Sequence, residues 1–406
     1  MKFKIYYCLF LIICLFYPFL YVYGAISIRH IAAVVMIVWL IMIGEFKIDK
    51  FIKVFSIFLF LYGLSSIVTG FGLEFINKLF GTYLSCIAFY MSTKTMIIKY
   101  DSLKWVVYLI LGIAIVDAIV TIGQFFNNPI ARGVTLLLRV QNVDELLWEK
   151  YDSGGGLMGV AAGGLLGDIE NGYFLSAATI LSLLNIKNGK IGIINWALFI
   201  FLFFALFATQ ERAGLGMGVL CCGTYIFINT KENRSNIWAI ALFVVFAVYF
   251  GGQYFSSIID IDTTRYGLEG SDMGGRKELS SGAWSYILSN PLGGAFDFFA
   301  KGNREPHNFI ANSFLYGGIL GGLVVIAIIF SQLVRITRIV VKSLSSHKYS
   351  YSIVVFSLMY LAYTGNSAFH NLSLVTGSDM FFLLWGAIVG LSISEVSKGE
   401  LKPIKK

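Results

Sequence analysis

Apolar runs about as long as a bilayer is thick recur from one end of this 406-residue chain to the other. Each is close to the ~20 residues that carry a helix across a hydrocarbon core of about 30 Å. The runs show no period-2 alternation, so the form open to them in lipid is the helix, which satisfies its own backbone hydrogen bonds. Composition agrees, with 57% of residues hydrophobic and 13% charged, against roughly 25% charged in soluble domains. A chain so poor in charge cannot cover its own surface with polar groups, so lipid must be its solvent. The expectation is an all-α polytopic membrane protein with about twelve transmembrane helices, a single integral membrane domain over 1–406. The spans fall near 5–23, 27–44, 54–70, 75–92, 105–126, 171–186, 191–208, 212–228, 237–253, 308–334, 350–366 and 379–396. No small-residue cleavage site precedes Ser27, so the first run reads as a retained helix.

The net charge of +8 is distributed by side rather than clustered for nucleic acid. Lys2 and Lys4 precede the first run; Lys47, Lys50 and Lys53 follow the second; Lys94, Lys99 and Lys104 follow the fourth. Lys187 and Lys190, then Lys231 and Arg234, then Arg335, Arg338, Lys342 and Lys348 continue the pattern to the basic C-terminus. Every second connection is basic, which by the positive-inside rule puts both termini in the cytoplasm. All five cysteines lie inside apolar runs, where they read as small hydrophobes rather than a disulfide framework or metal site.

That alternation leaves two long connections on the outer side, 127–170 and 254–307. The first holds Arg132, Arg139 and a glycine-rich stretch from Gly154 to Gly167. The second contains a helix signal, because Leu279, Ala283, Trp284, Tyr286 and Ile287 recur at helical spacing between Arg276 and Asn290. Gly274-Gly275 and Pro291 punctuate its ends. Such an amphipathic helix lies along the outer membrane boundary.

Polar residues that could carry chemistry gather on that side. Arg212, at a tight turn after Thr209-Gln210-Glu211, sits where the positive-inside rule disfavours arginine. It reads either as a snorkelling side chain paired with Glu211 or as an anion site, since a guanidinium fork suits phosphate oxygens. Arg276 and Lys277 open the amphipathic helix, and Arg304-Glu305-Pro306-His307-Asn308 runs into the tenth span. His307 could take a proton from a sugar hydroxyl at neutral pH. Asn308 could orient it or bind substrate. Asp260-Ile261-Asp262 has the spacing of metal-dependent glycosyltransferases, but no other metal-ligand pattern accompanies it. His370-Asn371 repeats the His-Asn pair in the last outer connection and reads as structural or substrate-lining. Mid-span charge is scarce; Asp117 is the main instance.

Gly275-Arg276, Trp284, Asn290-Pro291-Leu292-Gly293-Gly294, Pro306-His307-Asn308 and Gly317-Gly318-Ile319-Leu320-Gly321 together resemble the signature of the bacterial O-antigen polymerase and O-antigen ligase superfamily. Gln210-Glu211-Arg212-Ala213-Gly214 is similar to that superfamily's Ser-Arg-Gly turn at an outer helix junction. The stretch Gly163–Asn171 departs from the pattern, lacking the arginine that relatives carry there.

The resemblance implies a membrane-embedded glycosyltransferase of the GT-C-like type in the bacterial inner membrane, with a periplasmic active site. Its donor would be a glycan on undecaprenyl diphosphate. It implies Arg212 and Arg276 as stabilisers of the leaving diphosphate and His307 as the group that orients or deprotonates the acceptor hydroxyl. Asn308, Arg304, Lys277, Trp284 and Glu211 would line the substrate, with no metal or other cofactor. A chain-length regulator and a flippase are the implied protein partners. A polymerase extending lipid-linked repeat units is favoured on the resemblance alone. A ligase transferring the finished glycan to lipid A core or protein shares the same signature, and a transporter of lipid-linked oligosaccharide is the reading from another class.

Overall fold

The computed structural model describes residues 2–16, 21–23, 26–126, 128–131, 133–134, 164–165, 168–185, 193–209, 211–230, 281–303, 305–306, 308–346, 349–367 and 374–397. Helix dominates them. In chain order they are α1 (Lys2–Phe16), α2 (Ile28–Met42), α3 (Lys50–Val68), α4 (Gly72–Lys78), α5 (Leu84–Ile98) and α6 (Leu103–Phe125). There follow α7 (Asp168–Ser182), α8 (Ile193–Ala208) and α9 (Arg212–Thr230). The last are α10 (281–289), α11 (Ala295–Ala300), α12 (Phe309–Ser346), α13 (Tyr351–Ser367) and α14 (Asp379–Ser397). Every expected span except the ninth, 237–253, which lies outside the described residues, coincides with helix. Among the described residues four helices are long and apolar enough to cross a membrane, by length and composition: Lys50–Val68, Leu103–Phe125, Phe309–Ser343 and Asp379–Ser397.

Two expected boundaries move for physical reasons. The first span was expected to reach residue 23, but α1 stops at Phe16, and Tyr21–Tyr23 pairs antiparallel with Ile26–Ser27. Pro18 follows in the sequence, a residue with no amide to donate to a helix. The fourth span runs longer than expected, from α4 through a π-helical turn at Leu79–Tyr83 into α5. Its basic end is held at Lys94, which pairs with Asp49 at 2.6 Å.

The protein's outer surface is apolar over large areas. Phe60 is 69% exposed, Ile67 67% and Phe330 67%. Patches of this kind on a water-soluble monomer would be a liability, whereas in a bilayer they meet lipid. The interior is tightest between α14 and α5, where Gly386 and Gly390 form a small-xxx-small stripe. A Cβ on Gly386 would lie 2.5 Å from Tyr90 O, so the two backbones touch.

Charge collects at the two ends of the bundle. At one end Asp49 caps α3 by accepting from Ile52 N at 3.1 Å and binds Lys94, while Lys99 meets Glu45 at 2.9 Å. At the other end Arg29, at the start of α2, binds Asp379, at the start of α14, at 2.9 Å. Ser85, on the second residue of α5, donates to the same carboxylate at 3.0 Å. The site-bearing segment 281–308 belongs to that second end.

Candidate functional site

The glycine-rich motifs prove to be two halves of one backbone joint. In a continuous helix Ile319 N–H would donate to Leu315 O, four residues back. In α12 that bond is replaced. Ile319 N–H donates to Pro291 O at 2.9 Å, and Leu315 O accepts from Gly294 N–H at 2.9 Å. The segment 291–294 has inserted itself into the ladder, one of the recognised causes of a sharp helix kink. Gly318 absorbs the break at φ 67, ψ −170, a region essentially restricted to glycine. A Cβ there would stand 2.5 Å from the carbonyl of Leu292, and one on Gly293 would stand 2.6 Å from Gly318 N. Each glycine therefore leaves the room that the other backbone fills.

The amphipathic helix expected over Arg276–Asn290 is described as α10 from 281 to 289, ending before Pro291 as the sequence requires. It buries Ala283 and Ile287. Trp284 lies against Phe314 of α12 with ring centroids 5.3 Å apart and remains 38% exposed. Tyr286 donates to Asp297 at 2.7 Å, and Lys301 binds the same carboxylate oxygen at 2.7 Å. The bond from Lys301, then that from Tyr286, hold the Asp297 carboxyl below the usual carboxylate range. These contacts fasten α10 and α11 onto α12.

The approach to His307 is fastened the same way. Asn308 caps α12, its Oδ1 accepting from Ile310 N at 2.8 Å and Ala311 N at 3.4 Å. Pro306 O accepts from Asn308 N at 2.8 Å and from the fully buried Asn312 Nδ2 at 3.2 Å. Glu305 accepts from Tyr316 OH at 3.2 Å, and Tyr316 in turn accepts from Lys78 Nζ at 2.9 Å. Lys78 also stands 4.2 Å from the Tyr316 ring centroid. Tyr62 packs on Tyr316, Phe75 and Phe296, which closes the back of the cluster.

The sequence-derived site thus divides. Trp284 and Asn308 each contact the first turns of α12, through Phe314 and the Ile310 and Ala311 amides respectively. Glu211 belongs to a second cluster, on α7 and α9, where a Cβ on Gly172 would lie 2.6 Å from Glu211 Cβ and one on Gly214 2.9 Å from Gly172 O. Arg212 opens α9, with its side chain outside the described residues. His307, Arg276, Lys277 and Arg304 also lie outside them, as do Arg132, Arg139, Asp260, Asp262 and His370. Among the described residues no group of three or more His, Cys, Asp or Glu is placed to hold a metal ion.

Sequence reasoning passed over Lys78, Tyr316 and the Arg29–Asp379 pair. A signal for the first existed, since Lys78 falls in the first turn of the expected fourth span, 75–92, at the end where basic residues are disfavoured. Asp117, the conspicuous mid-span charge, has a local explanation. Its Oδ1 accepts from Leu165 N at 2.7 Å, Gln124 Oε1 accepts from Gly164 N at 2.8 Å, and Thr121 Oγ1 accepts from Asn171 Nδ2 at 2.9 Å. Asp117, Thr121 and Gln124 recur at i, i+4 and i+7 on α6, one face of the helix, and together grip the turn that leads into α7. Comparison with protein-family models, curated proteins and solved structures finds no match for this chain.

Proposed function

We propose that this membrane protein is a glycosyltransferase of the O-antigen polymerase type, joining oligosaccharide repeat units carried on undecaprenyl diphosphate. In this reading about twelve spans in a GT-C-like arrangement cross a bacterial inner membrane, with both termini cytoplasmic and the 281–308 end periplasmic. The acceptor hydroxyl oxygen bonds to the anomeric carbon of the donor while the bond from that carbon to the diphosphate oxygen breaks. His307 takes the hydroxyl proton. Arg212 and Arg276 meet the charge growing on the diphosphate, where fixed cations in a water-poor site act most strongly, so the transfer needs no metal. Glu211, Lys277, Trp284, Arg304 and Asn308 line the substrate.

The observation that carries this reading is the joint between 291–294 and 315–319. These were two separate parts of a resemblance, and they form one physical unit whose continuation is the Pro306-His307-Asn308 turn. A resemblance made of scattered chance strings has no reason to assemble this way. The transporter reading loses its main support, because Asp117 has a structural task. Asp117→Asn, which keeps the acceptor oxygen, should leave glycan transfer near wild type, whereas a role in a charge pathway would make it inactive.

The deciding experiment is reconstitution in liposomes with an undecaprenyl-diphosphate-linked repeat unit, with and without lipid A core, beside Arg276→Ala and His307→Ala. A ladder of lengthening products without core, lost in both variants, supports the polymerase. A single transfer that requires the core makes the protein a ligase. If glycan leaves neither carrier, the enzyme reading fails.

A further inference from the structure

We infer that Tyr316, acting with Lys78, is a positioning residue that fixes Glu305, Pro306 and Asn308, the described residues flanking His307, and that transfer depends on this hold; the inference rests on the function proposed above. The relay joins three separate parts of the chain. Lys78 ends α4, Tyr316 lies on the second turn of α12, and Glu305 stands two residues before His307. The Tyr316 hydroxyl accepts from a cation at 2.9 Å and donates to a carboxylate at 3.2 Å. A neutral hydroxyl between opposite charges makes two charge-assisted bonds, the stronger class, and each polarises the other.

Tyr316 is 3% exposed and wedged among Tyr62, Phe299 and the Lys78 side chain, so its hydroxyl has little freedom to wander. Its neighbour in sequence, Leu315, receives Gly294 N–H, and Asn312, one turn earlier, holds Pro306 O. Both ends of the 294–306 segment are thus gripped by the same two turns of α12. Glu305 adds to that grip a point held by charge rather than by backbone geometry. A general base must sit within hydrogen-bond reach of its proton, and a displacement of about 1 Å can cost on the order of 100-fold in rate.

The test uses the reconstituted full chain with Tyr316→Phe, Lys78→Met, Lys78→Arg and the Tyr316→Phe/Lys78→Met double variant. Hydrogen–deuterium exchange across 303–312 is measured alongside transfer kinetics. Tyr316→Phe and Lys78→Met should each lower kcat by about 10- to 100-fold while KM stays within about twofold, the pattern of lost alignment rather than lost binding. The double variant should be no worse than either single one, since the two residues act as one unit. Lys78→Arg, which restores a donor cation, should recover most of the rate. In Tyr316→Phe the amides of Asn308 and Asn312 should exchange faster while α3 and α14 keep their protection, which separates a local effect from misfolding. Wild-type kcat in Tyr316→Phe, a loss confined to KM, or no rescue by Lys78→Arg overturns the inference. Should the wild type transfer no glycan, the dependence of transfer on this hold falls with the proposed function. Unchanged exchange in Tyr316→Phe would then also remove the claim that the relay fixes the turn.

Discussion

Replacing Gly318 with alanine tests the backbone joint directly. The alanine faces two routes. If 291–294 stays docked, the residue occupies a conformation that costs on the order of 1–3 kcal/mol for anything but glycine. Its Cβ must also displace the Leu292 carbonyl from 2.5 Å, which strains both bonds between the two segments, Ile319 N to Pro291 O and Gly294 N to Leu315 O. If instead α12 heals, Ile319 N returns to Leu315 O, one bond is lost net at about 1 kcal/mol, and the packing of the loop goes with it. Either route costs at least about 1 kcal/mol, and the docked route up to about 3 kcal/mol before the carbonyl's displacement is counted. Gly321→Ala is the control from the same motif. A Cβ there meets Phe58 and Leu61 at 3.6–3.9 Å, ordinary contact, so the change should be neutral or stabilise by up to about 1 kcal/mol through helix propensity. The assay is thermal unfolding in detergent with hydrogen exchange read at Gly293 and Gly294. Gly318→Ala should unfold earlier and expose those amides, while Gly321→Ala should do neither. Equal behaviour of the two variants would refute the argument that the joint depends on glycine at 318.

Three further outcomes follow from the geometry. Arg29→Ala strands the Asp379 carboxylate, which is buried beside Ser85 and Cys86, and should cost about 3–5 kcal/mol in thermal unfolding; the Arg29→Met/Asp379→Leu pair should cost less, and a single variant as stable as wild type would remove the pair from the fold's support. Burial raises the Asp49 pKa, but hydrogen bonds from Lys94, Tyr90 and Ile52 N–H outweigh it and leave the carboxyl below its usual range. Its contribution is therefore complete above the unfolded value near ~3.9 and fades as pH falls through the lower folded value, so Asp49→Asn should flatten the acid limb of the stability profile; an unchanged limb counts against the assignment. Asn308→Ala should cost about 1 kcal/mol by removing the α12 cap, and Asn308→Asp should restore it. Transfer activity restored along with stability in Asn308→Asp would assign the side chain to capping alone.

What the sequence made legible was the periodic and the local. Run length located the helices, because bilayer thickness and helix rise leave little choice. Proline and glycine punctuation placed the end of α10. Pro18 lies inside the first apolar run, a helix-breaking signal that the length of the run hid. What stayed hidden was non-local. Gly317-Gly318 read as a glycine-rich helix, since nothing in residues 309–346 announces that its missing hydrogen bond is supplied from 291–294. Arg29 and Asp379 are 350 residues apart, and nothing in the sequence near either announces the other. Of the candidate site, Asn308 was found for its chemistry and turned out to be occupied with a cap, a dual use that residue type cannot separate.

The break in α12 also bears on length. Its 38 residues would make a straight rod of about 57 Å, nearly twice the ~30 Å hydrocarbon core. Unbroken, such a rod would carry its first turns well clear of the membrane as a spike, with Asn312 and Tyr316 stripped of neighbours. The break at Gly318 divides it into a stub of about 14 Å and a shaft of about 42 Å. The shaft is long enough to cross, with Arg338 and Lys342 about 30 and 36 Å along it, at or beyond the far edge of the hydrocarbon. The stub is free to take its own angle and becomes a ledge at the interface, to which α10, α11 and the Glu305–Asn308 turn are all bolted. Surplus helix is thereby converted into a mounting plate whose tilt is set independently of the span beneath it.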